Sequence, residues 1–178
     1  MQVLATKGSN ILLPRPGFPV YETACGYSGI EIWFYDLIPE NNREVNLDQV
    51  EALADEKTVS IVIINPSHPC AAIFSYEHLL QIAKTAGHLG IPSVSDEVYA
   101  HMVFGGFKFQ PMAKFASITP VITLGGISKR WLIRGCRFGW LVACDLHGIL
   151  KRGKIQEGAE QTGAGRGRTT HREGALPI

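Results

Sequence analysis

The sequence predicts an α/β domain of three layers, with helices on both faces of a mostly parallel sheet. Three observations predict it. Short β-branched and aromatic runs alternate with helical stripes along the chain, the order that parallel strands joined by crossover helices require. One run, TVSIVII over 58–64, is almost continuously apolar, as a strand covered on both faces must be. The composition, 46 % hydrophobic and 19 % charged over 178 residues, is that of an ordinary globular chain with enough length for one core. Residues 1–154 carry this pattern. Residues 155–178 are rich in Gly and Arg and hold almost no large apolar residue before Leu176, so they read as a disordered appendage.

The elements follow in order. Asn10 to Leu13 is a short apolar run stopped by Pro14 and Pro16, which reads as a buried strand entering a loop. Pro19 to Tyr27 can form a helix with Tyr21, Ala24 and Cys25 on one face, closed by Gly26 and Gly29. Ile30 to Leu37 (IEIWFYDL) has strand composition. Pro39 to Asn42 is a turn, and Asn46 or Asp48 can cap a helix over Val50, Leu53 and Ala54. After the 58–64 strand, Asn65 to Cys70 (NPSHPC) is a loop stiffened by two prolines. Ser75 with His78 three residues on makes a poor capping box, but Leu79, Leu80, Ile82, Ala83 and Ala86 form a clear stripe before Gly87 and Gly90. Ile91 to Ser95 is a short strand ending in Asp96-Glu97-Val98-Tyr99. Gly105-Gly106 between aromatics predicts a hairpin excursion. Pro120 to Leu124 and Phe138 to Ala143 are strands, and Gly125 to Trp131 between them is a loop.

The charge balance narrows the functional classes. Seventeen Lys and Arg against sixteen Asp and Glu leave a net charge of +1, which gives no electrostatic case for a nucleic-acid partner. No apolar run approaches the roughly 20 residues of a membrane span, and the N-terminus lacks a secretory apolar core. The four cysteines (Cys25, Cys70, Cys136, Cys144) show no metal-site spacing. They read as reduced thiols, which makes the expected location cytoplasmic. No G-x-G-x-x-G opens a helix after a strand, which disfavours a dinucleotide module.

Polar residues with chemical potential gather where strands end: the 65–70 loop, Asp96 with Tyr99, and Ser128-Lys129 with Arg137. Open α/β sheets bind ligands at the carboxyl ends of their strands. A lysine between apolar strands can serve as an amine nucleophile toward a carbonyl. An aspartate ending a buried strand can hold a positive ring nitrogen, and an arginine fork can take a phosphate. Aldehyde, ring nitrogen and phosphate are the three handles of pyridoxal phosphate. Taken singly, each residue has a plainer reading. Asp96 can cap a helix, Lys129 can be a solvated loop lysine, Arg137 a surface ion-pair partner and Tyr99 a half-buried packing residue.

The patterns NPSHPC, SDEVYAHMVF and SKRWLIRGCRFGW, with LLPRPGFPVYE upstream, resemble the class I/II aminotransferases of the fold-type I pyridoxal phosphate group. The tyrosine and nicotianamine aminotransferases are the nearest branch. The resemblance covers about residues 8–154. It implies a cofactor, pyridoxal 5′-phosphate, and amino-group transfer from an aromatic or related amino acid to a 2-oxo acid. Lys129 would carry the cofactor and move the proton at the substrate Cα. Asp96 would pair with the protonated pyridine nitrogen, and Tyr99 would hydrogen-bond the 3-oxygen. Arg137, eight residues after the lysine, would bind the phosphate. Phe18 would stack on the ring, its plainer reading being a core residue.

His68 stands where the family has an asparagine contacting the 3-oxygen. Ala71 stands where a glycine is usual, which would deny the loop a positive φ. The resemblance also places residue 1 inside the family's large domain. It leaves unmatched the N-terminal arm that clasps the partner of a homodimer, the phosphate loop and the arginine that grips the substrate carboxylate. Two alternatives therefore stand beside an aminotransferase: an inactive fragment or pseudo-enzyme, and another fold-type I enzyme such as a carbon–sulfur lyase or an aminocyclopropane carboxylate synthase.

Overall fold

The computed structural model describes residues 4–152. The Gly/Arg-rich stretch 155–178, expected to be disordered, lies outside them. Seven strands form one sheet: β1 (Asn10–Arg15), β2 (Glu31–Ile38), β3 (Glu44–Val45), β4 (Thr58–Ile64), β5 (Ser93–Asp96), β6 (Val121–Gly126) and β7 (Gly139–Cys144). Their spatial order is β3-β2-β1-β4-β5-β6-β7. β2, β1, β4, β5 and β6 run parallel. β3 and β7, at the two edges, are antiparallel to their neighbours. The mostly parallel sheet expected from the sequence is the one found.

Side chains alternate across each strand, so the sheet divides its apolar residues between two cores. On one face Leu12, Tyr35, Ile61 and Ile63 pack with Val50 of α2 (Leu47–Leu53) and with Leu79, Ile82, Ala83 and Ala86 of α3 (Tyr76–His88). On the other face Ile11, Leu13, Val62, Ile64 and Val94 pack with Tyr21 and Cys25 of α1 (Val20–Ser28) and Leu150 of α5 (Ile149–Arg152). These are the three layers. Each fully buried Leu or Ile contributes about 1.5–3 kcal/mol, which is why β4, apolar on both faces, lies in the middle of the sheet.

Local chemistry explains the element ends, with several differences from expectation. α1 runs through Gly26 and stops at Gly29, whose φ of +66° only glycine adopts at no steric cost. Asn46 caps α2 by accepting from the Gln49 N–H. Ser75, expected to cap poorly, accepts from the His78 N–H at 3.1 Å. An N-cap needs only the backbone donor at that position, whatever its side chain. Gly87 lies inside α3, where a Cβ would stand 3.0 Å from the Ile118 carbonyl oxygen. Its role there is close packing. β3 was not foreseen because two residues carry no periodicity.

The expected hairpin around Gly105-Gly106 does not form. Residues 97–111 run as turns and irregular chain, with Phe104 and Phe107 exposed. The excursion is closed by Glu97, whose carboxylate accepts from the Met112 N–H and the Ser95 hydroxyl, both at 2.9 Å. No strand pairing is needed to close it. β7 pairs only with β6 among the described residues, and its Trp140, Leu141 and Val142 are exposed.

His78 ties the two-residue β3 to α3. Its Nε2 accepts from the Val45 N–H at 2.9 Å, and its Nδ1 stands 3.6 Å from Glu44. Burial pushes its pKa down, with Glu44 opposing. Between that depressed value and about 6.5 the unfolded chain binds a proton that the folded chain refuses, so stability is lost as pH falls through this window. Urea unfolding followed from about pH 7.5 to about pH 5 should show a falling midpoint, and His78→Gln should flatten that slope.

Candidate active site at the carboxyl edge of the sheet

The strand order reverses between β1 and β4, since β2 lies on one side of β1 and β4 on the other. Such a switch point splays the loops apart beyond the carboxyl ends and opens a crevice. The loop after β1 carries Phe18. The loop after β4 carries His68. β5 ends at Asp96, with Tyr99 in the turn that follows, and β6 is followed by Lys129. Because β7 is antiparallel, its first residue Gly139 pairs with Gly126, the last of β6. That register returns the segment carrying Arg137 to the same edge.

The strand ends are tied by the ladder continuing past them. The Asn65 N–H donates to the Asp96 carbonyl, and the Glu97 N–H to the Leu124 carbonyl, both at 3.0 Å. Within the 65–74 loop, Asn65 Oδ1 accepts from the Phe74 N–H and Ser67 Oγ from the Ala72 N–H. Ala71 takes φ +55°. The loop therefore keeps the positive φ that the sequence seemed to deny it, at a cost of roughly 1–2 kcal/mol for an L-residue.

The side chains meet in a chain of contacts. The Phe18 ring meets His68 edge-on at 5.2 Å between centroids. His68 lies parallel to Tyr99 at 6.2 Å and 9°. Lys129 Nζ stands 5.2 Å from the centre of the Tyr99 ring. Phe18 also meets Tyr21 at 6.5 Å, and the Tyr21 hydroxyl donates to Asp96 Oδ2 at 2.6 Å. Phe18 is 42 % exposed, so its core reading fails and its ring is available to a ligand. Lys129 and Tyr99 are half-buried. Asp96 is buried, and its Oδ1 accepts from the Val98 N–H at 3.2 Å.

The structure brings Phe18, His68, Asp96, Tyr99 and Lys129 together but not Arg137. Arg137 is exposed, with φ +49°, and its guanidinium donates back to the Arg134 carbonyl at 3.3 Å. It makes no ion pair among the described residues. Sequence reasoning missed one member of the set, Tyr21. Its spacing in α1 marked only a core face, and nothing local signals a partner 75 residues away.

The segment before Lys129 also differs from the expected loop. β6 extends through Gly126, and Ile127–Arg130 is one helical turn, α4. Gly125 is required sterically, since a Cβ there would lie 2.4 Å from the Trp140 ring; Gly126, in extended backbone, meets only ordinary contacts.

These residues fit pyridoxal phosphate. His68 Nδ1 is buried with no hydrogen-bond partner among the described residues, which costs free energy unless a further polar atom pairs with it. Each Asp96 oxygen accepts one bond and keeps a second lone pair. An open aromatic face and an amine complete the set. No cluster of His, Cys, Asp or Glu among the described residues could hold a metal.

Comparison with known proteins gives the family. Residues 1–162 match the family model for aminotransferase class I and II. The fold is thus the α/β fold of an aminotransferase family. The chain belongs to the class I and II aminotransferases. It is similar to the probable aminotransferase TAT2 of Arabidopsis thaliana, 51 % identical over 157 residues, which are 88 % of this chain and 38 % of that protein. It is 46 % identical to the tyrosine aminotransferase of Bos taurus over 149 residues, 84 % of this chain and 33 % of the relative. Among solved structures, the tyrosine aminotransferase of Leishmania infantum superposes with a TM-score of 0.88 at 35 % identity, covering 92 % of this chain and 40 % of the other. The chain spans 27–40 % of the length of the relatives it matches.

Gly125→Ala should displace the Trp140 indole and cost about 1–3 kcal/mol. A lower urea midpoint together with a shifted tryptophan emission would be the expected result; an unchanged midpoint would contradict the steric reading.

Proposed function

We propose that this chain carries a cofactor-holding part of a pyridoxal 5′-phosphate-dependent aminotransferase of the tyrosine aminotransferase type. The whole protein would move an amino group from an aromatic or related amino acid to a 2-oxo acid, in the cytoplasm and as a homodimer. The single observation that carries this reading is the chain of contacts that links Lys129, Tyr99, His68, Phe18 and, through Tyr21, Asp96 at the carboxyl edge of the sheet. Its support from kinship is the similarity to tyrosine aminotransferases.

When bound, the cofactor supplies an electron sink for negative charge developing at the substrate Cα. The chain's own residues do the rest. Lys129 would offer the amine that holds the cofactor's aldehyde carbon, and the same amine would take and return the proton at the substrate Cα. Asp96, buried and oriented by the Tyr21 hydroxyl and the Val98 N–H, would pair with the ring nitrogen. Tyr99 and His68 would serve as hydrogen-bond groups to the oxygen beside the aldehyde. Phe18, itself 42 % exposed, would cover one face of the cofactor ring and exclude water. Arg137, turned back on the Arg134 carbonyl, is not gathered with these residues.

A second reading, a carbon–sulfur lyase on the same residues, is favoured by one relative, the S-alkyl-thiohydroximate lyase SUR1 of Arabidopsis thaliana, 48 % identical over 158 residues. Both chemistries begin with charge at the same carbon, so the site alone does not separate them. Product analysis does. A transferase converts tyrosine to its 2-oxo acid with the nitrogen kept on the cofactor, whereas a lyase releases thiol from an S-alkyl substrate.

The direct test is titration of the purified chain with pyridoxal phosphate. A visible absorption band of protein-bound cofactor should form, and Lys129→Ala should abolish it. A band unaffected by Lys129→Ala, or none at all, would overturn the cofactor assignment. A band with no response to amino acids would identify a binding fragment without turnover.

A further inference from the structure

Two hydrogen bonds fix the Asp96 carboxylate. One comes from the Val98 N–H, two residues on. The other comes from Tyr21, on a different element and 75 residues away. We propose that Tyr21 is the positioning residue of Asp96, orienting that carboxylate toward a cationic ring nitrogen. This deepens, and rests on, the cofactor reading above.

Three observations carry the proposal. The contact is short, 2.6 Å, in the range of a charge-assisted O–H···O⁻ bond, and both side chains are buried. Burial and the adjacent carboxylate hold the phenolic proton firmly on Tyr21. Tyr21 is therefore the donor and Asp96 the acceptor. The bond also leaves one lone pair on each Asp96 oxygen for a further donor.

The third observation is local. The Tyr21 N–H donates to the Phe18 carbonyl at 3.3 Å, and the two rings meet edge-on. The first turn of α1 thus sets the acid and the aromatic face as one unit. A rotation of that turn would displace both, so their relative placement about a planar ligand is fixed by backbone.

A hydroxyl in the core can be merely structural, and the molecule contains its own control. Tyr35 is fully buried on the opposite face of the sheet, and its hydroxyl donates to the Val62 carbonyl, also at 2.6 Å. Tyr35→Phe removes a comparable bond without touching Asp96.

The experiment compares Tyr21→Phe, Tyr35→Phe and the unaltered full chain by two readouts. Isotope-edited infrared spectra of chain labelled at its aspartate carboxylates should show one band shifted by Tyr21→Phe, the same band that Asp96→Asn removes. Titration with pyridoxal phosphate should show affinity weakened about tenfold by Tyr21→Phe, because an Asp96 no longer held in place must be ordered when the cofactor binds. Tyr35→Phe should change neither, although both variants lower the unfolding midpoint. If Tyr21→Phe lowers only the midpoint and leaves band and affinity like those of Tyr35→Phe, the residue is structural and the proposal falls. If the unaltered chain forms no Lys129-dependent cofactor band, the functional reading itself fails and takes the proposal with it.

Discussion

Everything at this site depends on the parallel pairing of β1, β4, β5 and β6. Parallel strands present all their carboxyl ends at one edge, so Phe18, His68, Asp96 and Lys129, spread over more than a hundred residues of sequence, stand along a single line of loops. The pairing holds because β4 is apolar on both faces and is covered by helices on both. A polar residue facing either layer in the middle of β4 would weaken the core and the alignment together. The antiparallel β7 serves the same edge, because its amino end is the one that returns there.

Much of this was legible in the chain. Runs such as TVSIVII identify central strands because burial on both faces leaves no room for alternation. The acid at the end of one strand and the lysine after the next were readable as a pair because the edge they share follows from parallel topology. What was not legible needed distance or exact backbone angle. The Tyr21–Asp96 bond joins residues 75 apart, and helical spacing identified only the core face of Tyr21. Ser75 looked a poor cap because a side-chain motif was sought where a backbone donor suffices. The 97–111 excursion resembled a hairpin because paired glycines signal a turn, but they do not signal whether the flanking residues pair. Here a single carboxylate, Glu97, closes the loop instead.

Arg137 and Ala71 show how local geometry qualifies a motif. Spacing places Arg137 eight residues after Lys129, yet its guanidinium is turned back on its own segment. Arg137 thus stands apart from the other residues of the motif, whereas Asp96 and Tyr99 occupy positions held by the ladder and its turns. At Ala71 the backbone keeps a left-handed conformation without the residue best suited to it. The 65–74 loop, pinned by Asn65 and Ser67, dictates that angle more strongly than the Ala71 side chain resists it. The loop is thus organised by its hydrogen bonds, and the alanine bears the cost.

The strand β7 carries a practical consequence. Its residues 139–144 include no charge and no proline, and Trp140, Leu141 and Val142 are exposed. Among the described residues only one side of the strand is paired. An open, uncharged edge of this kind is a template for further strands. With a net charge of +1 the molecules repel one another little. Wherever that edge stays unpaired, these six residues favour strand addition, and a lysine on the outward side of β7 would oppose it.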